Sequence, residues 1–470
     1  MEGPHSKFHE SFHNTTAYSS LAPPSYETAV TQAGGSNAPS NIPSEPQFTY
    51  IDFAPDGPAE QYDDLVEKAN NWLSHNRTFS LQSCETVIVP VKKGALSFES
   101  ASHIPAHNHR DYASVLRCWV SRLETPLTEP QVLGTIAKAP LQKSNFTTTI
   151  GGIFGSLSVQ LCFDLFKPQK ETLKQLNEEL EQNPLPGRIL KVETVKMKIT
   201  ESLSRLINLN PNVLYFHDGD RQNLFAHYIR VFYLKGEAAH EQIGWKDVVP
   251  SYEVNKANPK RPKFEPMSSV LYKAGQWAHT QMDKRITGLQ TIEMPLEVDS
   301  TPFSTSCRPI LDTNCSELYT GRQFTPLYTG ALVKYVRMYY VTSESFQVSR
   351  PYYVTQRLFM PFKLTARTLE TPVDNLRRLA VWLAYNSSAT ADNNIICAET
   401  VNFPTRLLYQ QPVDTEACSY RDLEQCGHDV VSGIRLYMNG VCHEPPANVL
   451  AIPIAPLAPI TNESSCCNIL

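Results

Sequence analysis

The chain has 470 residues, 41% of them hydrophobic and 19% charged, the balance of a folded protein long enough for more than one core rather than of a disordered one. Its formal charge of -5 gives no chain-wide basic field, so non-specific attraction to nucleic-acid phosphates is not expected. Met1 to Val30 lacks the charged, apolar and small-residue succession of a secretory signal, and no apolar run reaches membrane-spanning length, so the expectation is a protein neither exported nor threaded through a bilayer.

Residues 1–46 are rich in Ser, Thr, Asn, Gly and Pro and hold no sustained period, so they are expected to be a disordered leader. Within it stands Pro23-Pro24-Ser25-Tyr26, a Pro-Pro-x-Tyr sequence of the kind WW domains bind: their aromatic groove takes the preformed polyproline turn, and a pocket takes the tyrosine. Pro23, Pro24 and Tyr26 are therefore candidate binding residues. WW-bearing ubiquitin ligases of the Nedd4 type are the expected partners, and a chance Pro-rich match is the plain alternative.

From residue 47 onward short patterns recur. An aliphatic-Arg-x-aromatic string stands four times, at Leu116-Arg117-Cys118-Trp119, Ile229-Arg230-Val231-Phe232, Val336-Arg337-Met338-Tyr339 and Ile434-Arg435-Leu436-Tyr437, and each reads as a strand. Upstream of each lies an acidic β-rich string, centred on Glu85, Glu193, Glu293 and Glu399, which predicts a second strand. An amphipathic stripe precedes three of these, at Leu65, Ala69, Trp72 and Leu73, at Val270, Ala274, Trp277 and Ala278, and at Val373, Leu376, Ala380 and Leu383, the spacing of one helix face.

Longer matches nest these modules. Tyr50-x-Asp52-Phe53-x-Pro55 pairs with Trp245-x-Asp247-Val248-x-Pro250, Leu81-Gln82-x-x-Glu85 with Leu289-Gln290-x-x-Glu293, and Leu165-Phe166-Lys167-Pro168 with Leu358-Phe359-Met360-Pro361. The predicted fold class is α+β: two tandem duplicated halves, each of two strand-helix-strand-strand modules with helices packed on one face of a mainly antiparallel sheet. The first half spans 47–250, with modules about 47–125 and 155–235. A basic, Pro-punctuated linker comes next at 251–263. The second half spans 264–443, with modules about 264–343 and 352–440. The repeated arginines and glutamates are expected to form cross-strand pairs that fix register, and lining a groove between modules is their functional alternative. In the linker, Lys256, Lys260, Arg261 and Lys263 read first as a solvated connection, with an anionic-lipid contact or nuclear import signal as rivals.

Residues 444–470 close the sequence. Pro445, Pro446, Pro453, Pro456 and Pro459 alternate with apolar residues, which favours an extended polyproline spacer rising about 3.1 Å per residue. Packing of Ile452, Ile454 and Leu457 back on the body is the alternative. Then comes Cys467-Asn468-Ile469-Leu470, a prenylation pattern whose Leu favours geranylgeranyl, with Cys466 as a second, acylatable thiol. Two lipid signals hold a protein on a membrane where one lets it exchange. The ending resembles that of some Rho-type small GTPases, and over those few residues the resemblance implies lipidation, not GTPase activity. Cys467 and Cys466 are the candidate lipidation sites, and the expected location is the cytoplasmic face of a plasma or endosomal membrane.

Two signals bear on that location. Six Asn-x-Ser/Thr triplets, at Asn14, Asn76, Asn145, Asn314, Asn386 and Asn462, offer a glycosylated exterior, but such triplets arise by chance in Ser/Thr-rich chains. The eleven cysteines sit in apolar contexts that suit reduced, buried thiols better than a disulfide framework.

Searches for chemistry return little. His103, His107 and His109, and Cys418, Cys426, His428, Cys442 and His443, lack standard zinc spacing. The glycines of Gly151-Gly152-Ile153-Phe154-Gly155-Ser156 have no phosphate-loop lysine and read as a turn. No catalytic residue, metal ligand or cofactor is assigned. The leading expectation is a membrane-tethered adaptor that recruits WW-domain partners. The alternatives are a viral or virus-derived budding protein using a Pro-Pro-x-Tyr late motif, and a small-ligand binder or enzyme with a cleft between modules.

Overall fold

The alternating and helical periods resolve into one recurring succession of a short strand, a helix and two long strands. The computed structural model describes residues 47–92, 95–96, 103–104, 111–143, 165–199, 209–217, 223–253, 262–299, 308–320, 328–343, 350–362, 369–387, 394–405, 413–421 and 429–445. Unit 1 runs β1 (Phe48–Phe53), α1 (Tyr62–His75), β2 (Phe79–Lys92) and β3 (Asp111–Arg122). Unit 2 runs β4 (Leu133–Lys138), α2 (Gln169–Gln182), β5 (Gly187–Lys198) and β6 (Asn223–Lys235). Unit 3 runs β7 (Gln242–Val248), α3 (Met267–His279), β8 (Arg285–Asp299) and β9 (Tyr328–Thr342). Unit 4 runs β10 (Val354–Phe359), α4 (Pro372–Ser387), β11 (Asn394–Thr405) and β12 (Asp429–Asn439).

The last strand of each unit lies in the middle of its sheet, giving the orders β1-β3-β2, β4-β6-β5, β7-β9-β8 and β10-β12-β11, all antiparallel. Each of the four second strands carries a bulge at the same place. The register shifts at Gln82, Leu190, Thr287 and Ile396, three residues before Glu85, Glu193, Gln290 and Glu399 respectively. One extra residue there re-aims the side chains beyond it, among them the polar pair that joins neighbouring units.

Helix periodicity translates into burial. Leu65, Ala69, Trp72 and Leu73 of α1 are all buried, and Asp63 and Asp64 lie in its first turn, where carboxylates complement the helix dipole. In α3 Val270, Ala274 and Ala278 are buried. In α4 the buried face is Leu376, Leu379, Trp382 and Leu383, rotated from the expected stripe so that Val373 and Ala380 are only half-buried. Helix α2 was not legible as a stripe, because its buried leucines, Leu176 and Leu180, are set among lysines and glutamates.

Each helix packs on its own sheet and on the next unit. Leu65 and Trp72 of α1 share a cluster with Leu133 and Phe232 of unit 2. Leu176 and Leu180 of α2 meet Ile243, Tyr339 and Val341 of unit 3, and Val270 and Ala274 of α3 meet Cys397 and Tyr437 of unit 4. Leu376 and Trp382 of α4 meet Phe48, Tyr50 and Trp119 of unit 1. The succession therefore closes on itself, and the four units form a ring with four shared cores.

The fold departs from expectation in three places. The helices do not cover one sheet made from both modules of a half; each unit keeps its own sheet. Unit 2 takes its first strand from Leu133–Lys138, upstream of the expected module, and Leu165 and Phe166 lie outside the named strands whereas Leu358 and Phe359 end β10. Unit 3 takes its edge strand from Gln242–Val248, ahead of the basic segment, which runs between that strand and α3 rather than between bodies; Lys256, Lys260 and Arg261 lie outside the described residues. Among the described residues no helix is long and apolar enough to cross a membrane.

Candidate functional site

The second strands β2, β5, β8 and β11 lie side by side around the ring, and their edges would merge into one sheet if backbone met backbone. Side chains intervene. Glu85 accepts hydrogen bonds from the backbone N–H and hydroxyl of Thr400, both 2.8 Å or less. Glu193 accepts from the same two groups of Thr86, the N–H at 3.0 Å, and Glu399 from those of Thr291. At the remaining seam Gln290 replaces the glutamate: its Oε1 accepts from the Thr194 N–H at 2.8 Å while its Nε2 donates to the Thr194 carbonyl at 2.9 Å. At each seam the neighbour's side chain thus satisfies one backbone N–H of the facing strand edge, and at Thr194 the carbonyl as well.

The four arginines complete the nodes. Arg117 donates to the Thr400 hydroxyl, Arg230 to that of Thr86, Arg337 to that of Thr194 and Arg435 to that of Thr291, so every arginine reaches the threonine that its own strand partner grips. Register places Arg117 opposite Glu85, Arg230 opposite Glu193, Arg337 opposite Gln290 and Arg435 opposite Glu399. The aromatic residue two positions after the arginine also serves the node. Trp119 donates to Glu85 at 3.2 Å, Tyr339 to Gln290 at 3.0 Å and Tyr437 to Glu399 at 2.7 Å; Phe232 of unit 2 has no such donor.

Glu293 is therefore not the counterpart of the other glutamates. It stands opposite Lys334 in register, 3.7 Å from its Nζ and 3.5 Å from that of Lys196, and these cations hold its carboxyl below the usual range against the opposing effect of burial. The bulge precedes both Glu85 and Gln290 by three residues, and the arginine stands opposite both, so Gln290-Thr291 is the structural equivalent of Glu85-Thr86 and the match of Glu85 with Glu293 is out of step by three residues.

Burial sets the electrostatics. It raises the carboxyls of Glu85 and Glu193 in spite of the nearby Arg117 and Arg230 guanidiniums. Units 1 and 3 add an edge-strand carboxylate. Asp52 receives two bonds of 2.7 Å from Arg117, and Asp247 receives 2.6 and 2.9 Å bonds from Arg337, the forked geometry that guanidinium matches best. The corresponding residues opposite Arg230 and Arg435 are Ala137 and Leu358. Arg230 instead lies 3.2 Å over the Tyr62 ring.

Lys191, 2% exposed, crosses from unit 2 and donates to the Leu289 carbonyl at 3.3 Å. Burial disfavours its charge, but Cys397, Glu399 and Glu85 together keep its pKa above the ordinary value. The position two residues before each node glutamate or glutamine holds Ser83, Lys191, Gly288 and Cys397 in turn. At Gly288 a Cβ would lie 2.5 Å from the Lys191 ammonium, so a larger residue there would have to displace the lysine end.

Straps reinforce each seam. Tyr215–His217 of unit 2 pairs with β3, Glu317–Thr320 of unit 3 with β6, Ser419–Arg421 of unit 4 with β9, and His103–Ile104 of unit 1 with β12. Just before three of them a turn reaches the previous unit's helix N-terminus, whose N–H groups need acceptors. The Asn212 carbonyl accepts from Tyr62, that of Asn314 from Gln169, and that of Glu416 from Met267. In each the residue two earlier, Asn210, Asp312 or Asp414, accepts the turn's own N–H. The spacing is constant, 312 minus 210 and 414 minus 312 both being 102. That regularity stands in the sequence, but the strand strings do not carry it.

The motif residues Pro23, Pro24, Tyr26, Cys466 and Cys467 lie outside the described residues, as do His107, His109, Gly151, Cys426 and His428. Cys418 is buried. Cys442 lies beside Thr355 and Met438, and the His443 N–H donates to Asn386. Among the described residues no group of three His, Cys, Asp or Glu side chains could hold a metal ion. Comparison with family models, curated proteins and solved structures returns no match.

Proposed function

We propose that the chain is a membrane-tethered adaptor: an internally duplicated ring that displays a WW-domain ligand at one end of the chain and a lipidation site at the other. The observation that carries this reading is where the two terminal segments join the body. Phe48, just beyond the leader, is buried against Leu376 and Trp382 of α4, and Cys442, near the start of the tail, packs against the same cluster. Glu444 then accepts from the Trp382 indole and pairs with Arg357 at 2.9 Å. Both joints are thereby fastened to one seam of a ring whose buried polar groups are spent on holding it shut, the arrangement of a scaffold. Isoprenoid at Cys467, with a second lipid at Cys466, would hold the ring on a bilayer, and Pro23, Pro24 and Tyr26 would recruit WW-domain ligases there.

Duplication is supported by the shared bulges, the 102-residue turn spacing, and the Asp-Arg pairs that units 1 and 3 have in common. These point to a two-unit ancestor, doubled once, whose halves then closed on each other.

The test uses the full chain expressed in eukaryotic cells. Wild type should sediment with membranes and retain a WW-domain protein; Cys467→Ser should move to the soluble fraction and still retain it. Tyr26→Ala should sediment as before, with WW recovery reduced about tenfold or more. Equal recovery by wild type and Tyr26→Ala rejects the ligand role, and an unmodified Cys467 in the intact mass of the C-terminal peptide rejects the tether.

A further inference from the structure

Two thiols lie beside the first node, and the ring's polar chemistry uses neither. Cys84 and Cys118 stand directly opposite each other on β2 and β3, their Sγ atoms 3.9 Å apart, at 0% and 1% exposure. Cys84 immediately precedes Glu85 and Cys118 immediately succeeds Arg117. The equivalent pairs in the other units are Val192–Val231, Leu289–Met338 and Ala398–Leu436. Packing at this place therefore asks only for two apolar side chains, and unit 1 alone supplies a dithiol.

We propose that Cys84 and Cys118 are an oxidisable pair that peroxide converts into a cross-strand disulfide, pinning β2 to β3 where unit 1 grips unit 4 through Glu85 and is gripped by unit 2 at Thr86. Directly opposed strand residues have Cα separations of about 4.5 or 5.5 Å, and both fall within the span a disulfide bridges, so the sulfurs close with little backbone movement. In the reaction the Cys84 thiolate attacks peroxide, an S–O bond forms, the O–O bond breaks and one water leaves. The Cys118 sulfur then attacks Cys84, an S–S bond forms, the S–O bond breaks and a second water leaves. Two thiols are oxidised and one peroxide is reduced.

The same burial that positions the pair also gates it. Desolvation pushes the Cys84 thiol well above its ordinary range, so thiolate is scarce while the ring is closed and the dithiol is its resting form. Oxidation then waits on opening of the β2–β3 hairpin, and the product resists further opening because a cross-link restricts the unfolded chain.

The experiment treats the full chain with hydrogen peroxide, in buffer and in urea just below the unfolding midpoint, and then alkylates and digests it without reductant. The expected result is a peptide pair joining Cys84 to Cys118 with the mass of two hydrogens lost. It should form faster in urea and be reversed by a thiol reductant, and the oxidised chain should unfold at a higher urea midpoint. Cys84→Val, which restores the apolar pair of the other units, should show neither the linked peptide nor the shift. Recovery of both residues only as separate thiols or sulfinic acids in both conditions would overturn the proposal, and a linked peptide with an unchanged midpoint would overturn the pinning.

Discussion

Replacing Arg337 with methionine is expected to destabilise the protein by about 3–5 kcal/mol, measured as the change in unfolding free energy in urea. The side chain is 0% exposed and its guanidinium meets Asp247, Gln169, the Thr194 hydroxyl and the Thr313 carbonyl. Methionine fills much of the volume but leaves the half-buried Asp247 carboxylate without its forked partner and strips the buried Gln169 and Thr194 of their cationic donor, and these losses together are the cost. Adding Asp247→Leu should recover a large part of the loss, because replacing both members of a buried pair with apolar groups is close to neutral where replacing one is not. A double variant as unstable as the single one would show that Arg337 acts chiefly through Thr194 and the seam. Separating the exposed Lys174–Glu178 pair, 3.9 Å apart on α2, should change nothing measurable.

Acidification is expected to weaken the seam between units 2 and 3 through His227. This residue is 3% exposed, its backbone N–H donates to the Ser316 carbonyl, and its ring Nδ1 faces the Gln169 amide, which also donates to the Cys315 carbonyl. Its Nε2 is buried without a partner among the described residues. Burial, together with the charges of Lys196 and Arg337, presses its pKa down to about 3. The folded pKa lies below the unfolded one, so the unfolded chain takes up a proton near the usual histidine pKa of about 6.5 while the native chain does not. Stability is thus complete above that pH and is lost as pH falls toward the folded value, at about 1.4 kcal/mol per pH unit. Between about pH 7 and pH 5 the wild type should lose roughly 2 kcal/mol more than His227→Gln, whose amide does not titrate in this range. Parallel curves for the two proteins would remove His227 from the account. The comparison with the variant matters because burial raises Glu85 and Glu193, which contribute in the opposite direction.

The elements legible in the sequence were those whose pattern is local. The α1 stripe and the four Arg-x-aromatic strands stand where periodicity places them, since helix and strand faces are read directly from spacing. Helix α2 was hidden because only a narrow leucine stripe meets unit 3, leaving its charged face to dominate the composition. The match of Glu85 to Glu293 failed for a different reason. Glu293, serving Lys196 and Lys334, imitates the node residue three positions away, and only the pairing register with Arg337 tells Gln290 from it. Ring closure was not legible at all: the contacts of Glu85 with Thr400 span the whole body, and no local pattern encodes them. The sequence also held the recurring turn at Asn210, Asp312 and Asp414, but its acceptors cap helices belonging to other units, a partnership that only the fold reveals. The proposed WW-ligand and lipidation readings rest on linear strings that lie outside the described residues, so the fold neither supplies nor removes them.

Dividing the chain at the exposed His240 turn tests directly whether the four units stand or fall as one ring. Residues 1–240 alone leave Leu176 and Leu180 without Ile243, Tyr339 and Val341, and leave Phe48, Tyr50 and Trp119 without α4. Residues 241–470 lose the same two seams from the other side. Analytical ultracentrifugation and urea unfolding of each fragment, and of their mixture, should find neither fragment folded as a monomer. The mixture should form a one-to-one complex with a single cooperative transition. Two separately folded monomers, each unfolding at the midpoint of the intact chain, would contradict the closed ring.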